Sequence, residues 1–84
     1  MILRVAADGC TDVAGVIGDP VAHSLSPLLH NAAYKAAGLN WTYVAFHVRH
    51  GRASQAVDAM RSLGIRGLSV TMPHKEAVVD AADI

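Results

Sequence analysis

The feature that most constrains this chain is a local pattern that recurs three times: a short apolar or branched run, a turn broken by glycine or proline, then a stretch at helical spacing. Val13–Ile17 is the first run, mostly apolar and short enough for a buried strand, and Gly18 with Pro20 ends it. Ser26 stands where an N-cap belongs and Pro27 at the first helical position, where a missing N–H costs nothing; Leu28–Ala37 continues in good helix formers up to Gly38. Trp41–Val48, rich in aromatic and branched residues, reads as a second strand. A second helix is predicted from about Arg52 to Leu63, with Ala53, Ala56, Val57, Met60 and Leu63 on one face and Gly64 as its C-cap. Leu68–Thr71 is the third strand, and a third helix runs from about His74 to Ala82. Strands alternating with helices of this length predict an α/β fold. It is a three-layer αβα arrangement with a mainly parallel sheet built from βαβ units, in the order βαβαβα, with right-handed crossovers and helices on both faces. No linker, low-complexity stretch or tandem repeat divides residues 1–84, so one domain is expected.

Two of the three turns carry chemistry. In Gly18-Asp19-Pro20-Val21-Ala22-His23-Ser24-Leu25-Ser26-Pro27, two serines precede a helix start. The unpaired N–H groups and positive dipole end of that helix, with the two hydroxyls, suit a carboxylate or phosphate. One hydroxyl is enough for a cap, and Ser26 fills that role. Ser24 is then either a turn hydrogen bond to backbone or a ligand contact. In Gly67-Leu68-Ser69-Val70-Thr71-Met72-Pro73-His74-Lys75, strand alternation points Leu68 and Val70 one way, Ser69 and Thr71 the other. Open α/β sheets bind ligands at such carboxyl ends of strands. Lys75 falls in the first turn of the next helix, where the dipole disfavours a cation, which fits a general acid or base near neutral pH; an ordinary solvated lysine is the plain alternative.

These residues resemble the substrate domain of the shikimate dehydrogenase family, NADP-dependent enzymes that interconvert 3-dehydroshikimate and shikimate. A glycine and a proline leading into His-Ser-x-Ser-Pro-x-x-His-Asn are matched by Gly18, Pro20, His23, Ser24, Ser26, Pro27, His30 and Asn31. The second family motif, Asn-Val-Thr-x-Pro-x-Lys, is matched at Val70, Thr71, Pro73 and Lys75. The resemblance spans roughly Val13 to Ile84. It implies that Ser24 and Ser26 bind the substrate carboxylate, that Thr71 binds a ring hydroxyl, and that Lys75 is the catalytic acid or base. Ser69 stands where the family usually has asparagine, so a contact made there by an amide falls to a shorter hydroxyl or to water. NADP, the implied cofactor, is expected to be bound by a further Rossmann domain that these residues do not include. Gly15-Val16-Ile17-Gly18 has the wrong spacing for a dinucleotide fingerprint and runs into proline rather than a helix. By itself the chain is therefore expected to lack turnover. Quinate or aminoshikimate as substrate, and a carboxylate-binding module without turnover, stay open as alternatives.

Composition narrows the setting. Hydrophobic residues make up 52% and charged residues 17%, enough for a core but with apolar surface left to expose. Seven basic and seven acidic residues leave no basic stripe for nucleic acid and no polybasic segment for a membrane surface. Met1 to Ala7 is briefly apolar, without the features of a signal peptide, and no transmembrane stretch is present. The single cysteine, Cys10, sits in a polar turn as a partly exposed thiol, and the cytoplasm is the expected compartment. No metal site is predicted from the five histidines, because no cysteine or carboxylate cluster accompanies them. His30, one turn past Ser26, is expected to hydrogen-bond the serine loop, and Tyr34 to be core. An unpaired strand edge gives a route to a homodimer.

Overall fold

The computed structural model describes residues 7–81, and the expectations placed on Met1 to Ala6 and on Ala82 lie outside them. Six elements alternate along the chain: β1 (Asp12–Gly18), α1 (Ser26–Ala37), β2 (Trp41–His47), α2 (Ala53–Leu63), β3 (Gly67–Val70) and α3 (Lys75–Ala81). The three strands form one parallel sheet in the order β2-β1-β3, with Ala14 opposite Tyr43 on one side and Gly67 on the other. The chain thus steps outward from β1 in one direction and returns past it in the other. Right-handed crossovers then place α1 on one face of the sheet and α2 on the opposite face, and α3 packs against α2. None of these helices is long and apolar enough to cross a membrane.

Burial follows that sandwich. The central strand β1 is buried from Ala14 to Gly18, on both of its faces. On the α1 side Ala14, Val16, Val21 and Tyr43 form the core, with Tyr34, Trp41 and Ala45 packed against it. On the α2 side Ile17, Phe46 and Leu68 face Ala56. Gly15 lies under Phe46: a Cβ at position 15 would come within 2.6 Å of its ring. The predicted C-cap Gly64 is present at φ 68°, and Gly38, the expected stop of the first helix, caps it at φ 69°, a left-handed conformation that costs glycine nothing.

Three expectations are corrected. Ser26 is not the N-cap of α1: Leu25 holds that position, Ser26 is the first helical residue, and the hydroxyl that meets the helix start belongs to Ser24. The helix begins one residue early because the Ser24 turn satisfies an N-terminal N–H from outside, leaving Pro27 to the next position, whose N–H would have no partner either. Leu63, on the predicted apolar face of α2, is 75% exposed, since the last turn lies over an apolar hollow that no described element fills. The third helix starts at Lys75, because His74 is drawn into the interior instead. The expected apolar surface is present: on α1 no residue is buried and Leu28 and Leu29 are about 70% exposed, and Leu39, Leu63, Met72 and Val79 are exposed elsewhere.

Candidate functional site

The ends of β1 and β3 are neighbours in the sheet, although their sequences are far apart, and the connections that leave them turn to opposite faces. Open α/β sheets have their ligand crevice at such a switch point. Backbone hydrogen bonds lock the two turns together there: Thr71 N–H donates to the Ile17 carbonyl at 3.1 Å and Asp19 N–H to the Met72 carbonyl at 3.2 Å. Gly18 makes this approach possible. A Cβ at position 18 would collide with the Thr71 methyl and sit 3.2 Å from the Pro20 carbonyl oxygen. Pro20 and Pro73 both follow cis peptide bonds.

Between the two turns lies a cleft of about 380 Å³. Its lining combines the apolar Val16, Val21 and Val70 with the hydroxyl-bearing Ser24, Ser26, Ser69 and Thr71, and includes His23. Four of the five residues singled out from sequence therefore meet in one place. Lys75, the fifth, does not line the cleft; it is exposed at the first position of α3, directly after buried His74. No carboxylate lines the cleft among the described residues. Two serine hydroxyls and the start of the twelve-residue α1 lend it donors and a positive potential.

Of the two readings of Ser24, the turn hydrogen bond to backbone is present: its Oγ accepts the Ser26 N–H at 3.2 Å. That bond uses an oxygen lone pair, and the hydroxyl proton is still available to an anion in the cleft. His30 holds the same turn, its Nδ1–H donating to the Ser26 carbonyl at 2.9 Å, which is the role expected of it. Tyr34 packs against the core, also as expected.

Sequence reasoning passed over three residues. Tyr43, only 4% exposed, donates its phenol proton to Ser69 Oγ at 3.0 Å and stacks on His30, ring centroids 4.0 Å apart. Its signal was the alternation Trp41, Tyr43, Ala45, which marks one sheet face but not the polar tip of the ring. Asn31 accepts the Tyr43 N–H at 2.8 Å and donates to the Tyr43 carbonyl at 2.9 Å, acting as a one-residue strand on the open edge of β2. It stood in the first motif without an assigned role. His74, 1% exposed, reaches the Val48 carbonyl through Nε2, tying the turn after β3 to the end of β2.

A small polar cluster of Asp19, His47 and His50 stands at the turn after β1. Asp19 accepts from His47 Nε2 at 2.9 Å and from the His50 N–H at 3.3 Å. The His47 hydrogen bond, aided by the His50 N–H, holds the Asp19 carboxyl below its ordinary value. No group of three or more histidine, cysteine or acidic side chains converges as a metal site among the described residues. Cys10 is free and exposed. A dinucleotide is not fitted by these turns: after β1 and β3 they carry Pro20 and Pro73, which lack the N–H groups of a phosphate cradle, in place of a glycine-rich bend.

The family profile described as shikimate dehydrogenase substrate binding domain matches residues 16–84. The chain belongs to this family. A protein of Methanopyrus kandleri named shikimate dehydrogenase (NADP(+)) is 53% identical over 83 residues, covering 99% of this chain and 29% of its own length. Shikimate 5-dehydrogenase from Listeria monocytogenes, solved in complex with shikimate and NAD, superposes with a TM-score of 0.90 at 34% identity, covering 96% of this chain and 28% of that one. The ligand-free 5-ketofructose reductase of a Gluconobacter strain shares the fold at TM-score 0.86 and 26% identity, over 90% and 27% of the two chains. The chain thus spans between a quarter and a third of the length of these relatives.

Proposed function

We propose that this chain is the substrate-binding domain of an NADP-dependent shikimate dehydrogenase and that its cleft holds shikimate or 3-dehydroshikimate. The observation that carries this reading is the convergence of Ser24, Ser26, Ser69 and Thr71 on one cleft that the apolar Val16, Val21 and Val70 also line. A small ring bearing a carboxylate and several hydroxyls needs that combination: donors for the anion at the start of α1, hydroxyls for the ring oxygens, and an apolar surface for the ring. Ser24 and Ser26 take the carboxylate. Ser69 and Thr71 take ring hydroxyls. Lys75, at the start of α3 four residues past Thr71, transfers the proton at the reacting oxygen. NADP supplies or accepts the hydride when bound; the residues that hold it belong to a further domain of the longer protein. The setting is the cytoplasm, in keeping with the free thiol of Cys10.

A shikimate titration followed by amide NMR tests the proposal. Shifts grouped at Ser24, Ser26, Ser69 and Thr71 are the expected result; a folded protein with no response to millimolar shikimate would refute it. The likeness to a 5-ketofructose reductase favours one second reading, a polyol ketone without a carboxylate as ligand. The two readings differ at the anion end. If shikimate binds, its carboxamide analogue should bind far more weakly; if a polyol ketone is the ligand, Ser24→Ala should leave its binding intact.

A further inference from the structure

We infer that Tyr43 is a positioning residue for substrate: its buried phenol fixes the hydroxyl of Ser69 as a hydrogen-bond donor aimed into the cleft. The inference rests on the reading of the cleft given above. Ser69 is exposed to the cleft, whereas Tyr43 does not line it and lies behind, 4% exposed. A buried phenol proton needs an acceptor, and the acceptor here is Ser69 Oγ at 3.0 Å. A serine hydroxyl has one proton and two lone pairs. With one lone pair engaged by Tyr43, the Ser69 proton points away from the phenol, and the side open to it is the cleft. The ring that delivers this bond is itself held in place. Asn31 grips its backbone on both polar atoms, and the imidazole of His30 stacks on it with an interplanar angle of 11°. Because His30 also holds the Ser26 carbonyl, one column of side chains sets both walls of the cleft.

The chemical consequence is an oriented proton at position 69. A free serine can turn its proton any way; one that already accepts from Tyr43 keeps its proton on the cleft side, where a ligand oxygen can accept it, with its second lone pair still able to accept. This also accounts for how a residue as short as serine serves at a position of the second motif where the family usually carries an amide. The buttress from behind supplies the orientation that a longer side chain would set by its own geometry.

The test is a double-mutant cycle in the full-length protein, using Tyr43→Phe, Ser69→Ala and the pair, with shikimate as ligand in calorimetry and in steady-state kinetics. Tyr43→Phe keeps the ring, its stack and its backbone bonds. It should weaken shikimate binding by about threefold to tenfold, the scale of one neutral hydrogen bond. It should raise KM with kcat kept within about twofold, as expected for an interaction equal in ground and transition states. In the Ser69→Ala background the same change should have no further effect, and Ser69→Thr, which keeps the hydroxyl, should retain most of the affinity. Unchanged binding in Tyr43→Phe overturns the inference, as does a loss of equal size in the Ser69→Ala background. Should Tyr43→Phe not fold, Ser69→Ala decides alone: binding as tight as wild type overturns it. A wild-type protein that does not bind shikimate at all removes the functional reading and this inference with it.

Discussion

Replacing Gly18 by alanine tests how the cleft is assembled, because the site depends on the turns after β1 and β3 coming close together. The added Cβ would collide with the Thr71 methyl and press on the Pro20 carbonyl oxygen at 3.2 Å. Gly18 has no left-handed φ to lose, so the penalty is steric and not conformational. Overpacking by one methyl in a rigid setting costs about 1–3 kcal/mol. Alanine also restricts the unfolded chain, which returns roughly 0.4–1 kcal/mol, so the net loss should be about 0–2.6 kcal/mol, centred on about 1.3 kcal/mol. For a domain of this size the central value lowers the melting temperature by roughly 5–10 °C. The reasoning makes a sharper demand through Thr71→Ser, which deletes the colliding methyl and keeps the hydroxyl. In that background Gly18→Ala should cost less than about half as much, read from urea or thermal denaturation of all four proteins. Equal losses with and without the Thr71 methyl would refute the steric account.

Asn31→Ala should destabilise the fold by about 1–3 kcal/mol in urea denaturation, because it strands a half-buried N–H and C=O of Tyr43 on the β2 edge; a loss under about 0.5 kcal/mol would mean water replaces both bonds. Asp19 has its folded-state pKa lowered by His47, so its contribution to stability is complete above the ordinary carboxylate value and disappears as pH falls through the lowered one. Its carboxyl carbon should titrate below the usual range by NMR and move up toward it in His47→Ala, and a midpoint at or above that range in the wild type would contradict the assignment. In the full-length protein Lys75→Ala should mainly lower kcat and Ser24→Ala mainly raise KM for shikimate, and the reverse pattern in steady-state kinetics would exchange their roles.

What this sequence determines by itself is local. The three strands, the three helices, the glycine stops at Gly38 and Gly64, and the placing of Ser24 and Ser26 before and at a helix start and of Ser69 and Thr71 at the end of β3 follow from interactions within a few residues: proline's missing N–H, side-chain alternation, caps and left-handed glycines. Even the choice between Ser24 and Ser26 as the residue that meets the helix start is made by local bonds, Ser24 N–H to the Val21 carbonyl and Ser26 N–H to Ser24 Oγ. The order β2-β1-β3 is not a local property. It is settled by which faces must be buried together, and it alone makes the ends of β1 and β3 adjacent and turns two separate hydroxyl pairs into one site. The same holds for the phenol of Tyr43 behind Ser69 and the amide of Asn31 on the strand edge. Their partners lie 26 and 12 residues away in sequence, beyond the reach of any helix or strand period. Only chain packing brings such groups within hydrogen-bond distance, because the free energy that selects the packing comes from burial of the whole core and not from the residues that end up in the site.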